Sequence, residues 1–128
     1  MDLNAWSFVC AARTDIPVPR RAGGGRIVAV SARAAAKGAA QMAAYCAAKS
    51  ALQRLVESLS QEVKSDGVNV NSVAPSLIDT PANRAAMPTA KYSDWVSPDQ
   101  LAEAIAFLAC DSGGAGIHGQ HLVVDGLV

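Results

Sequence analysis

Three observations in the 128-residue sequence predict an α/β fold with a doubly wound parallel sheet. Short runs rich in β-branched residues alternate with full-length helical patterns in the order α-β-α-β-α-β, and strands separated by helices join through parallel crossovers. Hydrophobic residues make up 51% of the chain and charged residues 17%, the balance of a core-forming chain and not of a disordered one. Alanine fills 26 positions while aromatics reach only 5%, so helices and sheet are expected to pack closely through small side chains. At roughly 150 residues per domain, the length allows one domain at most. Three strands make a thin sheet with a bare edge, and a doubly wound fold is built from two such halves. The expectation is one half of that fold, a single partial domain over residues 1–128.

Each element has its own signal. Residues 3–13 are apolar enough for a helix, which Pro17 and Pro19 are expected to end, with Ala22-Gly23-Gly24-Gly25 as a flexible turn. Arg26-Ile27-Val28-Ala29-Val30-Ser31 reads as a short buried strand. From about Met42 to Lys64 a long helix carries Leu52, Leu55, Val56, Leu59 and Val63 along one face, and Asp66-Gly67 closes it. Val68 to Ala74 is the next strand. The following loop, Pro75 to Met87, holds one helical turn after Thr80-Pro81. Ser97-Pro98-Asp99-Gln100 opens another helix with a capping box and proline at the first position, and that helix runs to about Cys110. Gly113, Gly114, Gly116 and Gly119 are expected to form a loop before the last strand, His121 to Asp125.

Eleven basic and eleven acidic residues give zero net charge, which removes the electrostatic argument for a nucleic-acid or membrane-surface protein. The charge is unevenly spread: residues 1–54 carry a net +6 and residues 55–128 a net −6. Two oppositely charged faces that attract each other explain this as readily as a phosphate-bearing ligand over the first half. No apolar stretch reaches the ~18–20 residues of a membrane span. An acid near the start stands where a signal peptide needs a base, and Cys10, Cys46 and Cys110 form no C-x-x-C pair. A reducing, cytoplasmic setting is expected. His118 and His121 straddle a glycine loop and a strand, so no metal site is expected there. Trp6 and Trp95 read as packing residues, Arg20-Arg21 as solvated, and Cys46 as small helix packing.

Tyr45 and Lys49 lie four apart near the start of the long helix, on one face and about one turn from each other. A phenol titrates near ~10, so proton transfer at neutral pH needs help, and a nearby ammonium would lower that value. Alone, Y-x-x-x-K is a weak signal whose plain alternative is a surface lysine beside a half-buried tyrosine. Four segments in order change its weight: Gly25 to Ser31, Tyr45-Cys46-Ala47-Ala48-Lys49-Ser50-Ala51-Leu52, Asp66 to Pro75, and Gly119-Gln120-His121-Leu122-Val123-Val124-Asp125-Gly126. Together they strongly resemble the short-chain dehydrogenase/reductase family, over essentially the whole chain. Asp79-Thr80-Pro81-Ala82-Asn83-Arg84-Ala85-Ala86-Met87-Pro88 and Ser93-Asp94-Trp95 resemble its dihydropteridine-reductase-like branch.

The resemblance implies the C-terminal, catalytic half of a Rossmann-like domain in an NAD- or NADP-dependent oxidoreductase acting on a small molecule. It makes Tyr45 the catalytic acid/base, Lys49 its pKa-lowering and ribose-binding partner, and Asn4 the supporting asparagine of the proton relay. Pro75, Ser76, the backbone of Ile78 and the hydroxyl of Thr80 become cofactor contacts. Two positions depart from the family pattern. Ala32 stands where the serine that bonds the substrate carbonyl is expected, and Ser31, one place early on a strand, points to the opposite face. Losing that donor should cost on the order of 2.7–4 kcal/mol for a ketone, and less for a ring system that spreads its charge, such as a pterin-like or quinonoid substrate. Ser76 replaces a glycine. No glycine-rich turn precedes a strand and a helix, so the adenine-binding half is absent and the isolated chain is expected to be inactive. The expectation is therefore either a portion of a longer enzyme or a truncated, catalytically silent relative that pairs with full-length subunits. A ketoreductase-type relative that has lost its serine is the further alternative. A homo-oligomer through the two long helices is expected, with neither nucleic-acid nor membrane partners.

Overall fold

The computed structural model of the chain describes residues 2–128, and the side chains of residues 2, 3, 19 and 20 lie outside it. Three parallel strands, β1 (Gly25–Val30), β2 (Val68–Pro75) and β3 (His121–Val124), form one sheet in the order β1-β2-β3. The register sets Val30 beside Val73 and Pro75 beside Val124, so all three strands end at one edge. The parallel sheet and the element order are those the periodicity predicts.

Among the described residues six α-helices accompany the sheet: α1 (Ser7–Asp15), α2 (Pro17–Ala22), α3 (Ala43–Val63), α4 (Pro81–Ala86), α5 (Pro98–Ala109) and α6 (Asp111–Gly114). A π-helical turn, Asp2–Trp6, leads into α1. Successive side chains of a strand point to opposite faces, and β2 uses both. Val68 and Val70 meet Leu52, Val56 and Val63 of α3 and Ala12 of α1, with Ile16 and Ala29 completing the core. Burying a leucine or valine side chain there contributes ~1.5–3 kcal/mol. Asn69 and Asn71 point to the other face, where the Asn69 side-chain amide donates to the carbonyls of Gly114, Ala115 and Ile117. Asn71 donates to Ile117 O at 2.8 Å and accepts from Gln120 N at 2.9 Å.

The predicted caps are present. Gly67 closes α3 and the 3-10 turn after it with φ 73°, and an added Cβ would meet the Gly23 carbonyl at 3.0 Å. Ser97 and Gln100 form the capping box of α5, and Thr80 accepts from Asn83 N at the start of α4.

Three expectations are corrected. Helix α1 ends at Asp15, just before Pro17, as expected, but Pro17 at once opens α2, because a proline in the first helical turn forfeits no hydrogen bond. The glycines at 113 and 114 belong to α6, where the Gly113 N–H donates to Cys110 Sγ at 3.3 Å. Both glycines sit against α5, where a Cβ on Gly114 would lie 2.5 Å from the Leu108 carbonyl oxygen. Trp95 is 7% exposed and packs as expected, but Trp6 is 58% exposed. Ala5, Phe8 and Ala12 take the inward side of that helical segment, which leaves Trp6 on its outward side. Cys46 is buried and Arg21 exposed, as expected, while the Arg20 side chain lies outside the described residues.

Candidate active site

The strand ends of an open α/β sheet are where small ligands bind, and the predicted site residues gather at that edge. Lys49, on the second turn of α3, donates from Nζ to the carbonyl of Val30, the last residue of β1, at 3.0 Å. Ser50 donates to the Ala35 carbonyl at 2.7 Å and ties α3 to the 3-10 turn Arg33–Ala35 beyond β1. Asn4, Ser7, Phe8, Val30 and Lys49 line one cleft of about 350 Å³. Asn4 lies in the π-helical turn, a wider turn that recurs at functional sites. The structure thus brings Asn4 and Lys49 to one cleft. Tyr45 is 42% exposed and is not among the residues that line it; the Lys49 ammonium sits 6.0 Å from the centre of its ring.

Burial pushes the Tyr45 hydroxyl above the ordinary tyrosine range, and the neighbouring Cys46 adds to the effect. Burial also pulls Lys49 below the ordinary lysine range. Lys49 is not among the causes of the upward shift of Tyr45; its Nζ is directed to the Val30 carbonyl and lies 6.0 Å from the ring centre. Tyr45 is accordingly a neutral phenol at neutral pH, the form that donates a proton.

Ser31 is 2% exposed, and its hydroxyl has no hydrogen-bond partner among the described residues. It points into the fold, as the one-residue offset predicts, and Ala32 leaves no hydroxyl at the neighbouring position.

Pro75 ends β2. The Ser76 N–H donates to Val124 O at 2.9 Å and its hydroxyl donates to Asp125 O at 2.6 Å, so the side chain in place of a glycine is spent on the end of β3. Ile78 is bridged to Val96, with Val96 N donating to Leu77 O and Asp79 N to Val96 O. That pattern turns the Ile78 N–H away from Val96, while its carbonyl accepts from Asn83 Nδ2 at 2.7 Å. Thr80 caps α4 through an oxygen lone pair, which leaves its hydroxyl proton to donate.

Other residues of this edge carry no role in the sequence reading. Arg33, next to Ala32, pairs with Asp125 at 3.0 Å and donates to the Val128 carbonyl. Arg84 pairs with Asp79. Toward the other end of β3, His121 joins Ser72 at 2.7 Å and Glu57 at 2.9 Å. Asp79 and Arg84 are five residues apart around a helix start, a spacing that sequence can show. The Arg33–Asp125 and His121–Glu57 pairs are separated by 92 and 64 residues and leave no local signal.

Comparisons with known proteins agree with this fold. The profile of a family described as enoyl-(acyl carrier protein) reductase matches residues 1–126. A 3-oxoacyl-[acyl-carrier-protein] reductase of Synechocystis sp. is 31% identical over 131 residues, covering 98% of this chain and 53% of the relative. Among solved structures, a short chain dehydrogenase/reductase family protein superposes with a TM-score of 0.89 at 30% identity, over 98% of this chain and 54% of that one. A gluconate 5-dehydrogenase from Burkholderia cenocepacia, in complex with NADP and tartrate, superposes with a TM-score of 0.80 at 27% identity, over 90% of this chain and 49% of that one. The chain spans about half the length of the curated relatives it matches. Matched over nearly its whole length in sequence and in fold, the chain belongs to the short-chain dehydrogenase/reductase family.

Proposed function

We propose that this chain is the catalytic half of an NAD- or NADP-dependent oxidoreductase, with Tyr45 as acid/base, Lys49 and Asn4 in its proton relay, and a small-molecule substrate of pterin-like or quinonoid type. The observation that carries the proposal is the placement of Lys49 on the Val30 carbonyl at the end of β1, in the cleft that also holds Asn4, one helical turn from Tyr45. The residues present fit the nicotinamide–ribose half of such a cofactor: an ammonium, an outward-turned Ile78 N–H and the Thr80 hydroxyl proton are donors suited to ribose and carboxamide oxygens. Pro75 and Ser76 form the adjoining wall. The adenosine half has no counterpart among these residues. When bound, the nicotinamide supplies or accepts the hydride.

The chain's own residues handle the proton. The neutral Tyr45 phenol donates to the atom that gains negative charge as a substrate is reduced. General acid catalysis of this kind is worth ~10²–10⁴-fold. The Lys49 ammonium steadies the phenolate left behind, and Asn4, across the cleft from Lys49, holds the water through which the proton is restored. Ala32 offers no hydrogen bond to a localised oxyanion, which favours a substrate whose charge is spread over a ring. The similarity of Asp79 to Trp95 to the dihydropteridine-reductase-like branch supports the same choice. We propose further that the protein assembles as a homo-oligomer in the cytoplasm through α1 and α3, between which Phe8, Ile16, Leu55 and Leu59 line an apolar groove of about 330 Å³. None of the described helices is long and apolar enough to cross a membrane.

The test is Ala32→Ser in a protein that carries this chain with its cofactor-binding half, with kcat/KM measured in parallel on a quinonoid pterin and a β-ketoester. Activity on the pterin, unchanged by the substitution, is expected. A gain of ~10²-fold or more on the ester, with no pterin activity in either form, would assign a ketoreductase that has lost its serine.

A further inference from the structure

Residues 76–97 join the end of β2 to α5. Arg84, on α4, donates through Nε and Nη2 to the two oxygens of Asp79 at 2.6 and 2.7 Å. Its guanidinium also lies over the ring of Tyr92, 4.6 Å from the ring centre, and the Tyr92 hydroxyl donates back to the Arg84 carbonyl at 3.3 Å. Tyr92 in turn meets Trp95 edge-on, with ring centres 4.9 Å apart. One side chain therefore joins the outgoing arm at Asp79 to the returning arm at Tyr92, and through Tyr92 to the buried Trp95. The Ile78–Val96 bridge closes the same loop at its base.

A lone exposed ion pair holds little, because solvent screens it and two long side chains must be ordered for one contact. Arg84 differs in that a two-pronged carboxylate pair and an aromatic face restrain the same planar group, so the second contact orders nothing that the first left free. The neighbouring charges are already matched, since Lys91 pairs with Asp94 at 2.7 Å. The guanidinium beside Asp79 holds its carboxyl below the ordinary carboxylate range.

We propose that Arg84 is a positioning residue that holds residues 78–96 in one closed arrangement before any ligand arrives. Resting on the nicotinamide reading above, that arrangement presets Ile78 and Thr80 for the cofactor. A lysine at position 84 supplies charge but neither the fork nor the flat face, so it does not replace the arginine.

Amide hydrogen exchange tests this on the chain itself, comparing wild type with Arg84→Met and Arg84→Lys. The expected result is exchange over residues 78–96 at least ~10-fold faster in both variants, with the amides of α3 and β2 unchanged. Unchanged exchange in Arg84→Met, or full rescue by Arg84→Lys, would overturn the proposal. If Arg84→Met also exposes α3 and β2, Tyr92→Leu decides, since it removes the stack and keeps the ion pair: faster exchange confined to 78–96 supports the proposal and unchanged exchange overturns it. A merely structural role would not move the acid titration of Trp95 fluorescence. In wild type its midpoint should lie below the ordinary ~3.9 of an aspartate, and the transition should be missing in Arg84→Met; identical titrations count against the proposal. If nicotinamide mononucleotide at about 10 mM, a level suited to a ligand with few anchoring groups, leaves the Ile78 and Thr80 amide signals of the wild type unmoved, the nicotinamide reading fails while the exchange data still decide the role of Arg84.

Discussion

The two faces of β2 are held in opposite ways, although both are buried. On one, Val68 and Val70 rest against α3 through apolar contact alone. On the other, Asn69 and Asn71 reach into residues 114–120 and take up three carbonyls and one N–H. Apolar contact is non-directional and sets how stable the fold is. The asparagine bonds are directional and set where the chain after α6 runs, and so where β3 ends. That matters to the site, because the end of β3 receives the Ser76 hydroxyl and the Arg33 ion pair. Ala29 and Leu52 of the helical face line the cleft with Asn4 and Lys49, while the asparagine face fixes the approach to β3.

Substitutions on the two faces should break this contrast differently. The largest loss of stability is expected for Leu52→Ala, which opens a cavity in the α3 face; denaturant unfolding should show a loss of ~2–5 kcal/mol. Asn69→Ala should cost less, ~1–3 kcal/mol, because it removes the side-chain donor to the Ala115 carbonyl and one of two donors to the carbonyls of Gly114 and Ile117. Its sharper signature is local: amide exchange should rise over residues 114–124 while α3 stays protected, the reverse of the pattern expected for Leu52→Ala. The smallest effect belongs to Ser97→Ala, which removes the capping box of α5 without touching either face of β2. It should cost ~1 kcal/mol in the same unfolding measurement.

Local chemistry made most of the fold legible. Gly67 after a helical repeat, Ser97 with Gln100 three residues on, and Thr80 before Pro81 each announce an element boundary through a bond made within a few residues. Pro17 was ambiguous because a proline both ends one helix and suits the first turn of the next, and only packing selects between them. The α6 turn was hidden because its glycines are there for contact with Phe107 and Leu108, not for flexibility. In the site, the four-residue spacing of Tyr45 and Lys49 showed that the pair shares a helix face, but not that Nζ would bond the Val30 carbonyl, which lies 19 residues away in the chain. The upward shift of Tyr45 comes first from its burial, which the spacing does not show. The Arg33–Asp125 pair spans 92 residues and depends on the parallel register of all three strands, which no local pattern encodes.

The central claim is that Tyr45 moves the proton and Lys49 serves both the tyrosine and the ribose. The most direct measurement is turnover and cofactor affinity for Tyr45→Phe and Lys49→Ala, in a protein that carries this chain with its cofactor-binding half. Tyr45→Phe should lower kcat by ~10²–10⁴-fold and leave cofactor affinity nearly unchanged, because only the hydroxyl is lost. Lys49→Ala should impair both quantities. Turnover in Tyr45→Phe equal to that of the unsubstituted protein would contradict the account.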